Sequence, residues 1–341
     1  MIPIQNIYYM LAYAFSVLNE QGYKEFATEK FDNVPELLSA ILVKGVSIQI
    51  KRGLMKDYVL HNDTLSAPKG KIEIGSSIRT GVIFRHKLDC SYDEFTVDCM
   101  PNRIIKSTML VLLKSDISKN RKKDLRKILV YLDEVKSVSL RELQWDLTYD
   151  RNNRSYEMLI SLCNMIVNGL LQNTDNGTMK LFDFLDEQAM HKLYERFILE
   201  YYRKNYSHRL TVGASQIPWA IKEGSSIMMP VMKSDIMLAN GDRTLIIDAK
   251  YYAHTTQQQF GKHTIHSHNL YQIFTYVKNY DIDNSGNVSG MLLYAKTDEQ
   301  ITPDESVVIC GNRISVRTLD LDCSFDKIKE QLDIIAMDVL C

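Results

Sequence analysis

A turn signal at residues 240–241, Asn-Gly between two apolar runs, constrains the fold of this chain more than any other feature. An Asn-Gly pair flanked by alternating apolar residues is typical of a β-hairpin with a two-residue turn. With this dipeptide as the turn, Ala239 pairs with Asp242, and Asp235 then lies opposite Ile246. The sequence therefore predicts an antiparallel hairpin whose register is set by this turn.

The predicted hairpin gathers polar residues on one face. Side chains alternate between the two faces of a strand, so Asp248 and Lys250 share a face with Ile246 and with Asp235. In this register Asp248 is the diagonal neighbour of Asp235, at a backbone separation of roughly 7–8 Å. Two carboxylates at this separation can bind the same cation.

Two aspartates and a lysine on neighbouring strands meet the needs of phosphodiester hydrolysis. Mg²⁺ prefers oxygen ligands and keeps several waters, so Asp235 and Asp248 can hold it, with the Ala249 carbonyl as a third ligand. Lys250 is predicted to orient or deprotonate the attacking water and to stabilise the charge of the transition state. Mn²⁺ also suits such an oxygen site. The alternative interpretation is a structural Asp–Lys pair on a solvated sheet face.

The order of these residues resembles that of the PD-(D/E)xK nuclease superfamily, although Ser234-Asp235 replaces its Pro-Asp. The resemblance implies a supporting glutamate on the helix before the first strand, and Glu195 and Glu200 are the candidates. They lie five residues apart and point in different directions, so only one can serve, and Glu195 is preferred as a metal ligand. A solvated helix carboxylate is the alternative for each.

A predicted helix over residues 266–280 carries His268, Gln272 and Tyr276 at spacings of four, which places them on one face. The superfamily often has a Gln-x-x-x-Tyr helix at this point that faces the active site. The resemblance implies that Gln272 assists catalysis by holding a water or a phosphate. An amphipathic helix that leaves Gln272 exposed is the alternative.

Further blocks of sequence resemble McrC, the nuclease subunit of the McrBC modification-dependent restriction system. The opening block reads IPIQNIYYMLAYA. The matching blocks are residues 2–14, 44–46, 52–54, 69–72, 102–108, 247–252 and 266–272. They follow the family's order from the first residues to beyond the predicted nuclease core, so the resemblance covers nearly the whole chain.

The resemblance implies a Mg²⁺-dependent type IV restriction endonuclease subunit that cuts double-stranded DNA near 5-methylcytosine, in a system of phage defence. It also implies a separate partner, the McrB AAA+ GTPase hexamer, whose GTP hydrolysis the N-terminal region of McrC stimulates. This chain contains no G-x-x-x-x-G-K-[ST] motif, so the partner is expected to use the GTP. Two alternatives stay open: a non-catalytic activator or adaptor subunit of an AAA+ ring, and a stand-alone repair nuclease.

A length of 341 residues favours two domains, and the polar segment 172–178 is the predicted boundary. The expected N-terminal domain is an α+β, partner-binding domain over residues 1–172. It contains a small β-rich insertion that begins with a strand at residues 46–50. The expected C-terminal domain is an α/β PD-(D/E)xK endonuclease domain over residues 179–341, in which helices flank a mixed central sheet.

The net charge of −1 is unusual for a chain that binds DNA on its own. The basic run 114–127 is a local exception, interpreted as a solvated helix face with DNA contact as the alternative. Six cysteines without a Cys-x-x-Cys pair or a secretory leader indicate reduced thiols and a cytoplasmic location. Polar residues interrupt the apolar stretch 2–18, so no membrane span is expected.

Overall fold

A computed structural model of the chain describes residues 2–19, 22–141, 143, 145, 147–149, 153–171, 187–224, 228–252, 256–259, 262–296 and 302–340. The chain divides into two compact units. The first unit consists of Met1–Val34 and Phe184–Cys341, and the second of Pro35–Asp183. The predicted boundary segment 172–178 lies outside the described residues.

The helices and strands are numbered in chain order. The helices are α1 Ile4–Ala14, α2 Val34–Arg52, α3 Ile74–Arg79, α4 Met100–Lys114, α5 Lys119–Leu129, α6 Arg154–Leu171, α7 Glu187–Tyr206, α8 Ser267–Tyr280 and α9 Phe325–Leu340. The strands are β1 Asp57–Leu65, β2 Lys71–Ile72, β3 Leu88–Thr96, β4 Thr211–Gly213, β5 Gln216–Ile217, β6 Met232–Lys233, β7 Ile236–Asn240, β8 Arg243–Lys250, β9 Thr256–Gln259, β10 Lys262–Ile265, β11 Val288–Ala295, β12 Glu305–Ile309 and β13 Asn312–Leu319. None of the described helices is long and apolar enough to cross a membrane.

A mixed six-stranded sheet forms the centre of the first unit, in the order β12-β13-β11-β8-β7-β4. Strands β8, β11 and β13 are parallel, whereas β12, β7 and β4 pair antiparallel with their neighbours. Helix α8 lies in the crossover from β8 to β11, because two parallel strands cannot be joined by a hairpin. This topology places the carboxyl ends of β8 and β11 at the same edge of the sheet.

Helices cover this sheet on both faces. On one face, Ile273 of α8 packs in a core with Ile246 and Leu292 of the sheet. On the other face, the Tyr194 hydroxyl of α7 donates a hydrogen bond to the Leu293 carbonyl at 3.4 Å. The mixed central sheet flanked by helices agrees with the architecture predicted for this part of the chain.

The hairpin of β7 and β8 has a different turn from the predicted one. Asn240 pairs with Arg243, so Gly241 and Asp242 form the turn. Gly241 has a φ of 57° at the first turn position, where a type II′ turn favours glycine. The predicted pairing of Ala239 with Asp242 is therefore wrong, because the turn lies one residue further along the chain.

Helix α1 packs in the unit of the central sheet. The Ala14 carbonyl accepts a hydrogen bond of 2.8 Å from Arg196 Nε of α7, and Asn6 Nδ2 donates one of 2.8 Å to the Leu321 carbonyl. The limits of the predicted N-terminal domain, residues 1–172, are corrected accordingly. Its first 34 residues belong with the C-terminal elements because their polar and apolar contacts lie there.

The second unit combines helices with a three-stranded antiparallel sheet in the order β1-β3-β2, in which β1 and β3 pair along their whole length although β2 and α3 lie between them in the chain. The segment 46–50, predicted as a strand, is the C-terminal part of α2 instead. The buried positions in this part of the helix are 41, 42, 45, 46 and 49. This spacing is the period of a helix, and it prevails over the short apolar alternation that indicated a strand.

Candidate active site

The site lies where β7 begins and β8 ends. Asp235 immediately precedes β7, and Asp248 and Lys250 are among the last three residues of β8. The observed register, continued by one pair, places Asp235 opposite Asp248 rather than opposite Ile246 as predicted. Because the partner changes by two positions, Asp235 stays on the predicted face, and the two aspartates lie directly across from each other.

Asp235 is tied to the backbone of β8. Its Oδ2 accepts a hydrogen bond of 2.9 Å from the Ala249 N–H. The residue before Asp235 does not pair with β8. Its N–H, that of Ser234, donates a hydrogen bond of 3.0 Å to the Ser215 carbonyl instead. The carboxylate therefore occupies the place of a missing strand partner. The N–H and C=O of one strand residue point to the same side, so the Ala249 carbonyl also points to the side of Asp235.

Asp248 and Lys250 form a buried ion pair. Lys250 Nζ lies 2.8 Å from Asp248 Oδ2, and the two residues are 7% and 1% exposed. Both carboxylate oxygens of Asp248 are buried, and among the described residues only Oδ2 has an ion-pair partner, the Lys250 ammonium. Buried polar atoms are nearly always hydrogen-bonded, so Oδ1 has capacity for a further positively charged partner.

Negative charge accumulates at this site. Burial and the nearby Asp248 and Glu195 carboxylates raise the pKa of Asp235 from 3.8 to about 7. Burial also raises the pKa of Asp248, although the Lys250 ammonium opposes this shift. Burial acts to lower the pKa of Lys250, but the facing aspartates outweigh it and the pKa is raised. The shifts of the two aspartates favour uptake of positive charge, either as protons or as another cation, and the shift of Lys250 keeps its ammonium charged.

Of the two candidate glutamates, Glu195 is the one whose charge acts on both aspartates. Its Oε1 lies 2.8 Å from His191 Nδ1. Glu200 instead accepts a hydrogen bond of 2.7 Å from Arg203 Nη1. Across the described ranges, no three His, Cys, Asp or Glu side chains come close enough together to hold a metal ion. The role of Glu195 as a direct metal ligand therefore stays a prediction.

Gln272 of α8 lies beside the lysine, half-buried rather than exposed. Lys250 Nζ donates a long hydrogen bond of 3.4 Å to Gln272 Oε1, and Gln272 Nε2 donates one of 2.8 Å to the Tyr276 hydroxyl. His268, on the same helix face, is exposed. The structure thus brings together Gln272 and Lys250, and a role of Gln272 in catalysis stays a prediction.

Residues that the sequence did not single out support this arrangement. Tyr294 of β11 is the register partner of Lys250, and its hydroxyl accepts a hydrogen bond of 2.9 Å from Asn269 Nδ2. The Tyr252 hydroxyl donates to Asn269 Oδ1 at 3.4 Å, and the Tyr252 ring lies 6.3 Å from that of His191. The available signal was Asn269 itself, an asparagine on the apolar face of the predicted helix.

Comparison with known proteins places the chain in a family. A family profile described as McrBC 5-methylcytosine restriction system component matches residues 5–295. The chain is 30% identical over 337 residues to the type IV methyl-directed restriction enzyme EcoKMcrBC of Escherichia coli strain K12, a match that covers 97% of this chain and 96% of that protein.

Two solved structures from Thermococcus gammatolerans are similar as well. One is a half-complex from a tetradecameric assembly of McrB AAA+ hexamers with bound McrC, with a TM-score of 0.48 and 17% identity, covering 99% of this chain and 76% of that chain. The other is an McrBC complex with a TM-score of 0.40 and 20% identity, covering 60% and 58%. The family profile and the E. coli relative confirm the resemblance found in the sequence, and the chain belongs to the McrBC 5-methylcytosine restriction system component family.

Proposed function

We propose that this chain is the Mg²⁺-dependent endonuclease subunit of a GTP-driven McrBC-type restriction complex, hydrolysing DNA phosphodiester bonds near 5-methylcytosine. The observation that carries the proposal is the group of Asp235, Asp248 and Lys250, in which the Asp248–Lys250 ion pair is buried and Asp248 Oδ1 has no hydrogen-bond or ion-pair partner among the described residues. The hairpin-borne motif on a mixed sheet supports assignment to the PD-(D/E)xK nucleases. The family description and the name of the E. coli relative support a methylated DNA substrate.

The residues present fit a divalent cation. When Asp235, Asp248 and Glu195 are ionised they carry three negative charges against one positive charge on Lys250, which leaves a net charge of −2. Asp235, Asp248 and the Ala249 carbonyl supply only oxygen ligands, the type that Mg²⁺ and Mn²⁺ prefer, and Mg²⁺ needs few ligands from the protein. When bound, the cation supplies neutralisation of the charge that develops on the phosphate.

The other side chains of the site act on the water and on each other. Lys250, fixed between Asp248 and Gln272, holds its ammonium in one place and can orient the attacking water by a hydrogen bond. Gln272 is itself fixed by its bond to Tyr276, so its amide oxygen stays directed at the lysine. A buried ammonium group also stabilises negative charge on the scissile phosphate more strongly than an exposed one, because water screens it less.

GTP is assigned to the partner, an AAA+ GTPase hexamer of the McrB type, because the sequence of this chain contains no P-loop motif. Stimulation of that GTPase is assigned to the second unit, and the complex would serve in phage defence. A cytoplasmic location is part of the proposal, since all five cysteines of the described ranges are free thiols.

Cleavage of a methylated plasmid by the chain with its AAA+ partner, GTP and Mg²⁺ tests the proposal. Wild type is compared with Asp248→Ala and with Asp242→Ala, which removes an exposed acid from the turn of the same hairpin. GTP hydrolysis is recorded in the same reactions. We expect Asp248→Ala to abolish cleavage and keep stimulated GTP hydrolysis, and Asp242→Ala to keep both.

Two results would contradict the assignment. Cleavage by Asp248→Ala at the wild-type rate would exclude this site as the catalytic one. Stimulation of GTP hydrolysis by wild type without any cleavage of methylated DNA would favour the non-catalytic activator.

A further inference from the structure

Helix α5 of the second unit concentrates positive charge in a chain that is otherwise close to neutral. Its eleven residues, KNRKKDLRKIL, contain six lysines and arginines and one aspartate, a net charge of +5. The whole chain carries 41 basic and 42 acidic residues. A charge density of this kind on one helix calls for a physical explanation.

Among the residues that the structure describes, one of these six cations forms an ion pair that holds the helix in place. At the start of α5, Arg121 Nε lies 3.5 Å from Glu36 Oε2, and the Ser118 N–H donates to Glu36 Oε1. Beyond its end, Lys106 of α4 donates to the Leu132 carbonyl at 2.9 Å. Leu125, on the apolar face of α5, is fully buried. The helix is therefore fixed at both ends and along its apolar face.

Four cations of α5 form a separate outward face, the cationic face, which consists of Lys119, Lys122, Lys123 and Arg126. They lie at positions i, i+3, i+4 and i+7, so they share one side of the helix. Lys122 is half-buried and the other three are exposed. Within the described part of the chain none of the four has an ion-pair partner, whereas Lys127 pairs with Asp124 at 2.9 Å.

This arrangement opposes the stability of the helix. Lys119 and Lys123, Lys122 and Arg126, and Lys123 and Lys127 are like charges four residues apart, which repel each other. The first turn holds cations and no acidic residue, although the positive end of the helix dipole favours the opposite. Local features that oppose stability without an internal gain are expected at functional sites. An external anion would relieve both unfavourable effects.

We propose that the cationic face of α5 binds the phosphate backbone of duplex DNA. The proposal rests on the proposed function only in that the chain acts on DNA. A nucleic acid fits this face better than an acidic protein does. Lysine, which provides three of the four cations, is depleted at protein interfaces, where apolar and aromatic anchors supply most of the binding energy. Lysine and arginine contacts to phosphate dominate DNA affinity and need no anchor.

The test measures binding of the full chain, without its partner, to a fluorescently labelled duplex by anisotropy over a series of salt concentrations. The test variant changes Lys119, Lys122, Lys123 and Arg126 to Gln. The control variant changes Lys51, Arg52, Arg85 and Lys87 to Gln, which removes the same charge from exposed positions of the same unit. Melting temperatures of all proteins are recorded.

We expect the test variant to lose at least about tenfold in DNA affinity at about 100 mM salt. The slope of log affinity against log salt should become shallower by about one for each phosphate that the variant no longer neutralises. The control variant should stay within about twofold of wild type. The test variant should melt no lower than wild type, because the like-charge repulsion has been removed.

Equal DNA affinity of the test and control variants would overturn the proposal, as would the absence of duplex binding by wild type at about 50 mM salt. If the test variant no longer stimulated the AAA+ partner but bound DNA as wild type does, the cationic face would be a protein-binding surface, and the proposal would be overturned as well. Asp248→Ala separates this proposal from the proposed function, since that variant should keep DNA affinity while losing cleavage.

Discussion

Asp235 Oδ2 accepts a hydrogen bond of 2.9 Å from the backbone N–H of Ala249, the residue between Asp248 and Lys250. A side chain that precedes β7 thus completes the hydrogen bonding of β8, in the place where the two strands separate. The bond holds a carboxylate against its like-charged neighbour, in a site where burial already disfavours charge. The site is therefore arranged to hold negative charge at a cost in stability.

The cation-free protein should lose stability as the pH rises from about 4 through about 7, because the folded-state pKa of Asp235 is about 7 and its ordinary value is 3.8. A raised carboxyl pKa stabilises the folded state below the ordinary value, and this contribution is lost as the pH passes the folded value. Urea unfolding in EDTA between pH 5 and pH 8.5 measures the effect.

Asp235→Asn is the matched control for this pH dependence. Its amide oxygen can still accept from the Ala249 N–H, but it carries no charge. The free energy of unfolding of the variant should depend less on pH than that of wild type over this range, and Mg²⁺ should reduce the pH dependence of wild type alone. An identical pH dependence in variant and wild type would show that Asp235 titrates near its ordinary pKa.

Lys250→Gln should lower the rate of cleavage by at least about 100-fold, since a charged donor at the scissile phosphate is removed. It should also lower the stability of the cation-free protein, because Asp248 keeps a buried charge without its ion-pair partner. Added Mg²⁺ should therefore raise the melting temperature of the variant more than that of wild type. Exposed Lys233→Gln is the control, with both quantities unchanged.

An equal effect of Mg²⁺ on the melting temperatures of Lys250→Gln and wild type would argue against a cation at Asp248. A fall in cleavage with unchanged stability would instead restrict the lysine to a role in the chemical step.

Glu195→Gln should weaken the dependence of cleavage on Mg²⁺, so that about tenfold more Mg²⁺ is needed for half-maximal rate. The reason is the loss of one negative charge that acts on both aspartates. Glu200→Gln, one and a half turns further along α7, should leave the Mg²⁺ dependence unchanged because Glu200 pairs with Arg203. Calorimetric titration of the chain with Mn²⁺ should likewise show weaker binding for Glu195→Gln than for Glu200→Gln. Equal effects of the two substitutions would reject the distinction.

The sequence was sufficient to predict that the candidate site residues Asp235, Asp248 and Lys250 share one face of the hairpin, but not the register of its two strands. The predicted and the observed partner of Asp235, Ile246 and Asp248, are two positions apart, so a turn displaced by one residue kept both aspartates on the same face. The preference of glycine for hairpin turns does not fix the register, because Gly241 can serve at the first or the second turn position.

Long-range packing was beyond what local patterns encode. The apolar period of α1 predicts a helix, yet nothing in it specifies that Arg196 and Leu321, far along the chain, provide its hydrogen-bond partners. In the same way, the pairing of Lys250 with Tyr294 arises from the parallel alignment of β8 and β11, which joins distant segments. The role of Asn269 was not predicted, because its hydrogen bond to Tyr294 depends on the alignment of β11 with β8.

Gly290→Ala should destabilise the first unit by about 1–3 kcal/mol and reduce cleavage. A Cβ at Gly290 of β11 would lie 2.8 Å from Ile273 Cγ1 and from Val277 Cγ2, both on α8, and 3.0 Å from Ile314 Cδ1. These atoms belong to β-branched side chains in a packed core, so α8 must move away from the sheet. The long hydrogen bond between the neighbouring Gln272 and Lys250 would then break.

Gly75→Ala in α3 is the control for this substitution, since nothing lies within 4 Å of its added Cβ and alanine favours a helix. Its melting temperature should equal or exceed that of wild type. The Gly290→Ala variant should lose more cleavage than stimulation of GTP hydrolysis, because the movement of α8 affects the site in the first unit. Cleavage at the wild-type rate by a destabilised Gly290→Ala protein would show that the position of α8, and with it the hydrogen bond between Gln272 and Lys250, does not limit the reaction.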